Sequence, residues 1–236
     1  MTLFDELRAT TPDRWHDGVG ARCFGVYPAV VADVADPDSQ GRVRIRLPWS
    51  PDADDASYEA WARLATMMAG ANRGTWFVPE VDDEVLVVFE AGDPSRPYVI
   101  GALWNGQDAP PETMGDGNDI RSIHSRNGVI VTFDDTDGQE RLRLETPGGQ
   151  AVTLADGPGV ITIEDSNGNT ATLDSSGVTI QCGAKVTISA STFEVSAGSV
   201  TVNAGMSKFS GVVQADTVIT NSVVSSSYTP GAGNIW

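Results

Sequence analysis

Three kinds of side chain in this sequence are able to do chemistry: two cysteines, two histidines and the acidic run Asp82-Asp83-Glu84. Cys23 and Cys182 stand far apart and belong to no Cys-x-x-Cys or Cys/His cluster. A metal site is therefore not expected, and a buried reduced thiol is the simpler reading. His16 and His124 are equally isolated. The acidic run reads as a solvated turn, with a metal or docking contact as the alternative, and Arg63 and Arg96 are candidate ion-pair partners for such carboxylates. A glycoside hydrolase would need two carboxyl groups about 5 to 9 Å apart in a groove. Of the 32 carboxylates, 25 lie in residues 1–140, and the seven in the last 96 residues do not cluster. No catalytic residue, cofactor or metal ligand is assigned, and an enzyme is not expected.

The formal net charge of −17 argues against a nucleic-acid surface, because neutralising phosphates takes clustered cations. It also argues against docking on anionic lipid. No signal peptide is read at MTLFDELRAT, where acid replaces the basic and apolar regions such a segment needs. No run approaches about 18 apolar residues, the length of a spanning helix.

The elements that would position any site are short strands. Residues 1–22 form an N-terminal arm in which Leu3, Phe4 and Leu7 fall at helical spacing. The arm is either a helix that folds against a partner or a frayed terminus. From residue 23 to 106 the pattern is β. In RVRIRLP the alternation puts Val43, Ile45 and Leu47 on one face and arginines on the other. DPDSQG and DPSR are turns. YEAWARLATMMAG is ambiguous, since Tyr58, Trp61, Ala65 and Met68 also suit a helix. Residues 107–124, with QDAPPETMGDGND, read as a linker.

Residues 125–210 repeat one theme, two β-formers flanking a Thr or Glu and then a turn. Triplets begin at Val152, Ile161, Ala171, Val178, Val186, Phe193 and Val200, at gaps of 9, 10, 7, 8, 7 and 7 residues. The outer residues of each triplet share one face. A repeat of 7 or 8 residues is too short for one chain to make a three-sided β-helical turn. Three chains can each supply one side, and then no strand edge is left open. The sequence therefore predicts an all-β chain ending in an intertwined homotrimeric β-helix needle. Its core would be Val152, Leu154, Ile161, Ile163, Leu173, Val178, Ile180, Val186, Ile188, Phe193, Val195, Val200 and Val202. A single-chain solenoid or an irregular β-domain is the alternative on periodicity alone. Residues 211–236 form a tip, where SSSYTPGAGNIW breaks the repeat.

Two segments, DPDSQGRVRIRLPW and WARLATMMAGANRGTWFVPEVDDEVLVVFEAGDPSRPYVIGALWN, carry a resemblance to a known family. The chain resembles the spike proteins of contractile injection systems, the phage baseplate assembly protein V and VgrG families. These share the order of a GRV strand, a W-x-R strand, an RG-x-x-F-x-PE-V-x-DEV turn and strand, and GDP-x-RP-x-x-x-GALWN. The resemblance implies an OB-fold barrel over residues 23–106, with Trp61–Met67 as a strand. It implies a structural spike that docks to a baseplate hub protein and pierces an envelope mechanically, made in the cytoplasm and assembled into a phage-tail-like particle. A PAAR-repeat tip protein would sit on the needle end, against Tyr228, Pro230, Ile235 and Trp236, while Leu3, Phe4 and Leu7 would face the hub. Some relatives carry a lysozyme domain between barrel and needle, for which Asn105–Ile123 leaves no room. Others bind iron through a terminal His-x-His that this sequence lacks. A tailspike-like polysaccharide-degrading enzyme and an OB-fold nucleic-acid binder are the alternatives.

Overall fold

The alternation in RVRIRLP is realised as a strand whose Val43, Ile45 and Leu47 are fully buried, with the arginines between them turned outward. In the computed structural model, which describes residues 22–51 and 57–227, this strand is β2 (Arg42–Pro51). It follows β1 (Tyr27–Asp33) and precedes β3 (Ser57–Leu64). A small hairpin, β4 (Ala69–Gly70) and β5 (Arg73–Gly74), then leads to β6 (Glu84–Phe89) and β7 (Pro97–Ala102). Five of these strands close into a barrel in the order β1-β2-β3-β7-β6, all antiparallel except the β3–β7 pair. The ambiguous YEAWARL segment is thus a strand. It pairs with β2 on one side and β7 on the other, and Ala62 turns into the core where no helix would have a partner.

The core is aliphatic in the middle and aromatic at one end. Val31, Val85, Val87 and Val99 meet the β2 side chains. At the end where the chain enters, Tyr27 stacks on Trp49 with ring centroids 4.9 Å apart, and Phe89 tilts against Tyr27 at 5.7 Å. The Trp49 indole N–H donates to the Pro28 carbonyl at 2.8 Å, satisfying its one polar atom inside the plug. Cys23 lies buried beside this end, its N–H donating to the Gly92 carbonyl, and burial pushes its thiol pKa up. Gly92 has φ of +80°, and an added Cβ would lie 2.9 Å from the Arg22 Cβ, so the residue must be glycine.

The DPDSQG turn at the opposite end is organised by one carboxylate. Asp36 accepts from the backbone N–H groups of Asp38, Gln40 and Arg42 and from the Arg42 guanidinium at 2.6 Å. The Arg42 hydrogen bond, helped by those N–H groups, holds the Asp36 carboxyl well below the usual carboxylate range. A depressed folded pKa adds stability that is complete above the unfolded value, about 3.9, and is lost as pH falls below it. Asp36→Asn should therefore lower the melting temperature at pH 7. The gap to wild type should shrink toward zero as pH falls below about 4, which thermal unfolding across a pH series would check.

Past Trp104 the chain forms a second sheet from strands of five residues: β8 (Ile120–His124), β9 (Ile130–Asp134), β10 (Arg141–Glu145), β11 (Ala151–Ala155), β12 (Val160–Glu164), β13 (Thr170–Asp174) and β14 (Gly177–Gln181). They run as an antiparallel meander in chain order, each paired with the next. The connections turn on glycines in the left-handed region, as at Gly128 and Gly168. The expected linker, residues 107–124, is shorter than the sequence suggested, because its last five residues are β8. Residues 182–227 carry no strand among the described residues. The chain divides into two units, Met1–Lys185 and Val186–Trp236.

Candidate interaction surface

The β8–β14 meander places the triplets in strict register. Val152 faces Ile163, which faces Ala171, which faces Ile180; beside them run Leu154, Ile161, Leu173 and Val178. These are two adjacent rows on one face, assembled from seven of the thirteen residues singled out in the sequence. The middle threonines, Thr153, Thr162, Thr172 and Thr179, form a third row on the other face. The pairing follows from strand length: five residues joined by tight turns allow one register, and a one-residue slip would move every aliphatic to the threonine side.

Both rows continue toward the N-terminus through Leu144, Val131 and Ile123, and through Leu142 and Phe133. These five were not among the residues singled out, although VIVTF and RLRLET already showed the alternation. The rows end at one charge, Arg121, which pairs with Asp135. The opposite face is ionic at its centre. Arg143 donates to Glu145 at 2.8 Å, to Thr153 at 3.0 Å and to Glu164 at 3.3 Å. The hydrogen bond to Glu145 leads in raising the Arg143 pKa. Asp134 is held low by Thr136, with Arg141 adding to the effect.

The aliphatic rows are uncovered. Ile163 is 51% exposed and Val178 68%, and Leu154, Ile161 and Leu173 are also open to water. They border an apolar groove of about 800 Å³ that runs along Val131, Leu144, Val152 and Ile180. Fully burying one such side chain contributes roughly 1.5–3 kcal/mol. A face of this kind left in water is a surface waiting for a partner. β14 also ends the sheet with no strand on its outer side among the described residues.

The other expected residues are placed differently. Val186, Ile188, Phe193, Val195, Val200 and Val202 belong to the second unit, where all six are exposed and none lies in a strand. Leu3, Phe4 and Leu7 of the expected hub contact lie outside the described residues, as do Tyr228, Pro230, Ile235 and Trp236 of the expected tip. Of the acidic run, Asp82 and Asp83 lie in the turn before β6 and Glu84 opens the strand: Asp82 has φ of +76°, and the Asp83 carboxylate accepts from the Glu80 N–H at 2.8 Å. The arginines paired with it in the sequence reading go elsewhere. Arg96 meets Glu90 and Asp93, both at 3.7 Å, and the Arg63 guanidinium lies 5.5 Å over the Tyr98 ring. Of the aromatics in the barrel segment, Phe89 is in the core, whereas Phe77 and Trp104 are exposed. Among the described residues, no group of three or more His, Cys, Asp and Glu side chains is placed to hold a metal ion.

Comparison with known families follows the same division. Residues 27–104 match the type VI secretion system and phage-baseplate injector OB domain. Residues 141–207 match the phage baseplate V C-terminal trimerisation domain. Among curated relatives, the type VI secretion system spike protein VgrG1b of Pseudomonas aeruginosa is 27% identical over 126 residues, 50% of this chain and 17% of the relative. VgrG4b of the same organism is 34% identical over 115 residues, 48% of this chain and 14% of the relative. The spike protein VgrG3 of Vibrio cholerae is 28% identical over 113 residues, 45% of this chain and 11% of the relative. The matches thus cover less than a fifth of the length of these relatives.

Proposed function

We propose that this chain, which belongs to the phage-baseplate V family by its injector OB domain and its trimerisation domain, is the central spike of a contractile injection machine. The observation that carries the reading is the uncovered pair of aliphatic rows on β8–β14, backed by an ionic face on the other side. Three copies meeting along those rows would bury them on a common axis, with Arg143 and its glutamates turned to water. The segments from Val186 onward, which pair with no strand among the described residues, would then pair with those of the neighbouring copies to extend the needle. Val186, Ile188, Phe193, Val195, Val200 and Val202 are its core in this reading.

The barrel supports a polarity for the spike. Its chain enters at Tyr27 and leaves at Ala102, and β1 and β7 both run from the first end to the second. The N-terminal arm, with Leu3, Phe4 and Leu7, faces a hub protein in this reading, and the sheet leads away from it. At the far end Tyr228, Pro230, Ile235 and Trp236 receive a PAAR-type tip. The work is mechanical: the spike is driven through an envelope by a contracting sheath, and it makes or breaks no bond. No described helix is long and apolar enough to cross a membrane. The full chain should give a native mass of about 75 kDa, three times the 24.9 kDa of the chain. A species of 24.9 kDa at micromolar concentration would overturn the reading.

A further inference from the structure

The barrel end from which the chain leaves toward the sheet is unusually apolar. The segment after β3 exposes Met67, at 88%, together with Trp76, at 75%, and Phe77. The segment after β7 exposes Trp104, at 69%, beside Leu103. Monomeric proteins rarely keep large aromatics together in water, and none of these five side chains helps to fill the barrel core.

Nor are these side chains carried on loose loops. The Thr75 N–H donates to the Met68 carbonyl at 3.0 Å, and the Thr66 hydroxyl to the Thr75 carbonyl at 2.9 Å. Trp76 lies against Gly41 at the start of β2, where an added Cβ would come within 3.2 Å of its ring. On the other segment the Leu103 N–H donates to the Glu84 carbonyl at 2.9 Å, and the Asn105 amide to the Glu84 carboxylate at 3.1 Å. The two aromatic segments are therefore pinned over β2 and over β6, strands that are not neighbours in the barrel. Each is preorganised, which lowers the entropy cost of covering it.

An ion pair ties the segment that follows Phe77 to the sheet. Glu80, three residues beyond Phe77, accepts from Arg126 in the β8–β9 turn at 2.8 Å. Whatever brings three sheets together brings these barrel ends together as well. Two different patches on one end suit a head-to-tail contact, the kind that closes a ring by rotation. Charge fits the same arrangement. Arg73, at the tip of the β4–β5 hairpin, has no ion-pair partner among the described residues, whereas Asp82 and Asp83 lie just before β6.

We infer that the barrels carry a second contact between protomers: the Met67, Trp76 and Phe77 segment of one copy packs on the Leu103–Trp104 segment of the next, with Arg73 facing the neighbour's Asp82-Asp83 turn. The contact rests on the trimer reading and extends it from the sheet to the barrel. The test is hydroxyl-radical footprinting of the full wild-type chain, read by mass spectrometry beside a native mass. Met114, 97% exposed in the segment between barrel and sheet, is the internal reference for a solvent-facing residue. In the trimer, Trp76, Phe77 and Trp104 should oxidise roughly tenfold more slowly than their intrinsic reactivity relative to Met114 requires, as in a desolvated interface centre. Phe77→Cys with Trp104→Cys, in a Cys23→Ser, Cys182→Ser background, should give covalently linked copies on mild oxidation. A trimer whose three aromatics oxidise at the full rate, and in which the cysteine pair forms no link, overturns this contact and leaves the sheet interface standing. A monomer overturns both.

Discussion

Ile163→Asp should abolish trimer formation, while Thr162→Asp, one residue earlier, should leave it intact. Ile163 is half exposed in the single chain and pairs across the sheet with Val152 and Ala171. A carboxylate there costs the isolated sheet little, because it still reaches water. In the assembled needle three such carboxylates would converge on an apolar axis, in a row that holds no cation from Ile123 through Leu144 and Val152 to Ile180; Arg121 ends the neighbouring row. Each unpaired charge taken out of water costs several kcal/mol, so the three together cost on the order of 10 kcal/mol. That is about seven powers of ten in the association constant. Thr162 points to the ionic face, between Thr153 and Thr172, where Arg143 and its glutamates already hold charge, so its replacement stays off the aliphatic rows. Native mass spectrometry at neutral pH separates the outcomes. Equal masses for the two variants would mean that the aliphatic rows are not where the copies meet.

Leu47→Ala should damage the barrel and spare the sheet. Leu47 is fully buried among the β-barrel side chains, and a large-to-small change at such a site costs about 2–5 kcal/mol. For a domain of this size that corresponds to a fall in melting temperature on the order of 10–30 °C. The Tyr27–Trp49 stack provides the signal, since near-ultraviolet circular dichroism reports the aromatic plug. None of the sheet's aliphatic side chains belongs to the barrel core, so the trimer mass should persist at 25 °C after the barrel transition has moved down. A shift of only a degree or two would show that Leu47 is not a core residue, and simultaneous loss of the trimer would show that the two domains unfold as one.

Much of this was readable in the residues because the decisive patterns are local. Alternation in RVRIRLP and in the Thr-centred triplets fixes which side chains share a face, and the turn residues fix the register between strands. The helix-like spacing of Tyr58, Trp61, Ala65 and Met68 left that segment ambiguous because strand identity there is decided by distant partners, β2 and β7. β8 was hidden because IRSIH has only two aliphatics and becomes a strand by pairing with β9. Phe77 and Phe89 looked alike as aromatics in β-rich segments; only the barrel's closure puts one inside and the other out. The triplets from Val186 onward show the opposite limit. Their periodicity is plain, yet among the described residues they pair with no strand of their own chain.

The barrel's chain path has a mechanical consequence. Because the polypeptide enters at the start of β1 and departs at the end of β7, a pull between the two connections acts along the strands, not across them. β6 lies between β1 and β7 and is bonded to both. Its ladders are therefore loaded in shear, with every inter-strand bond sharing the strain at once, whereas a hairpin pulled from one end would unzip a bond at a time. A thrust delivered at one end reaches the other through the stiffest direction a small barrel has.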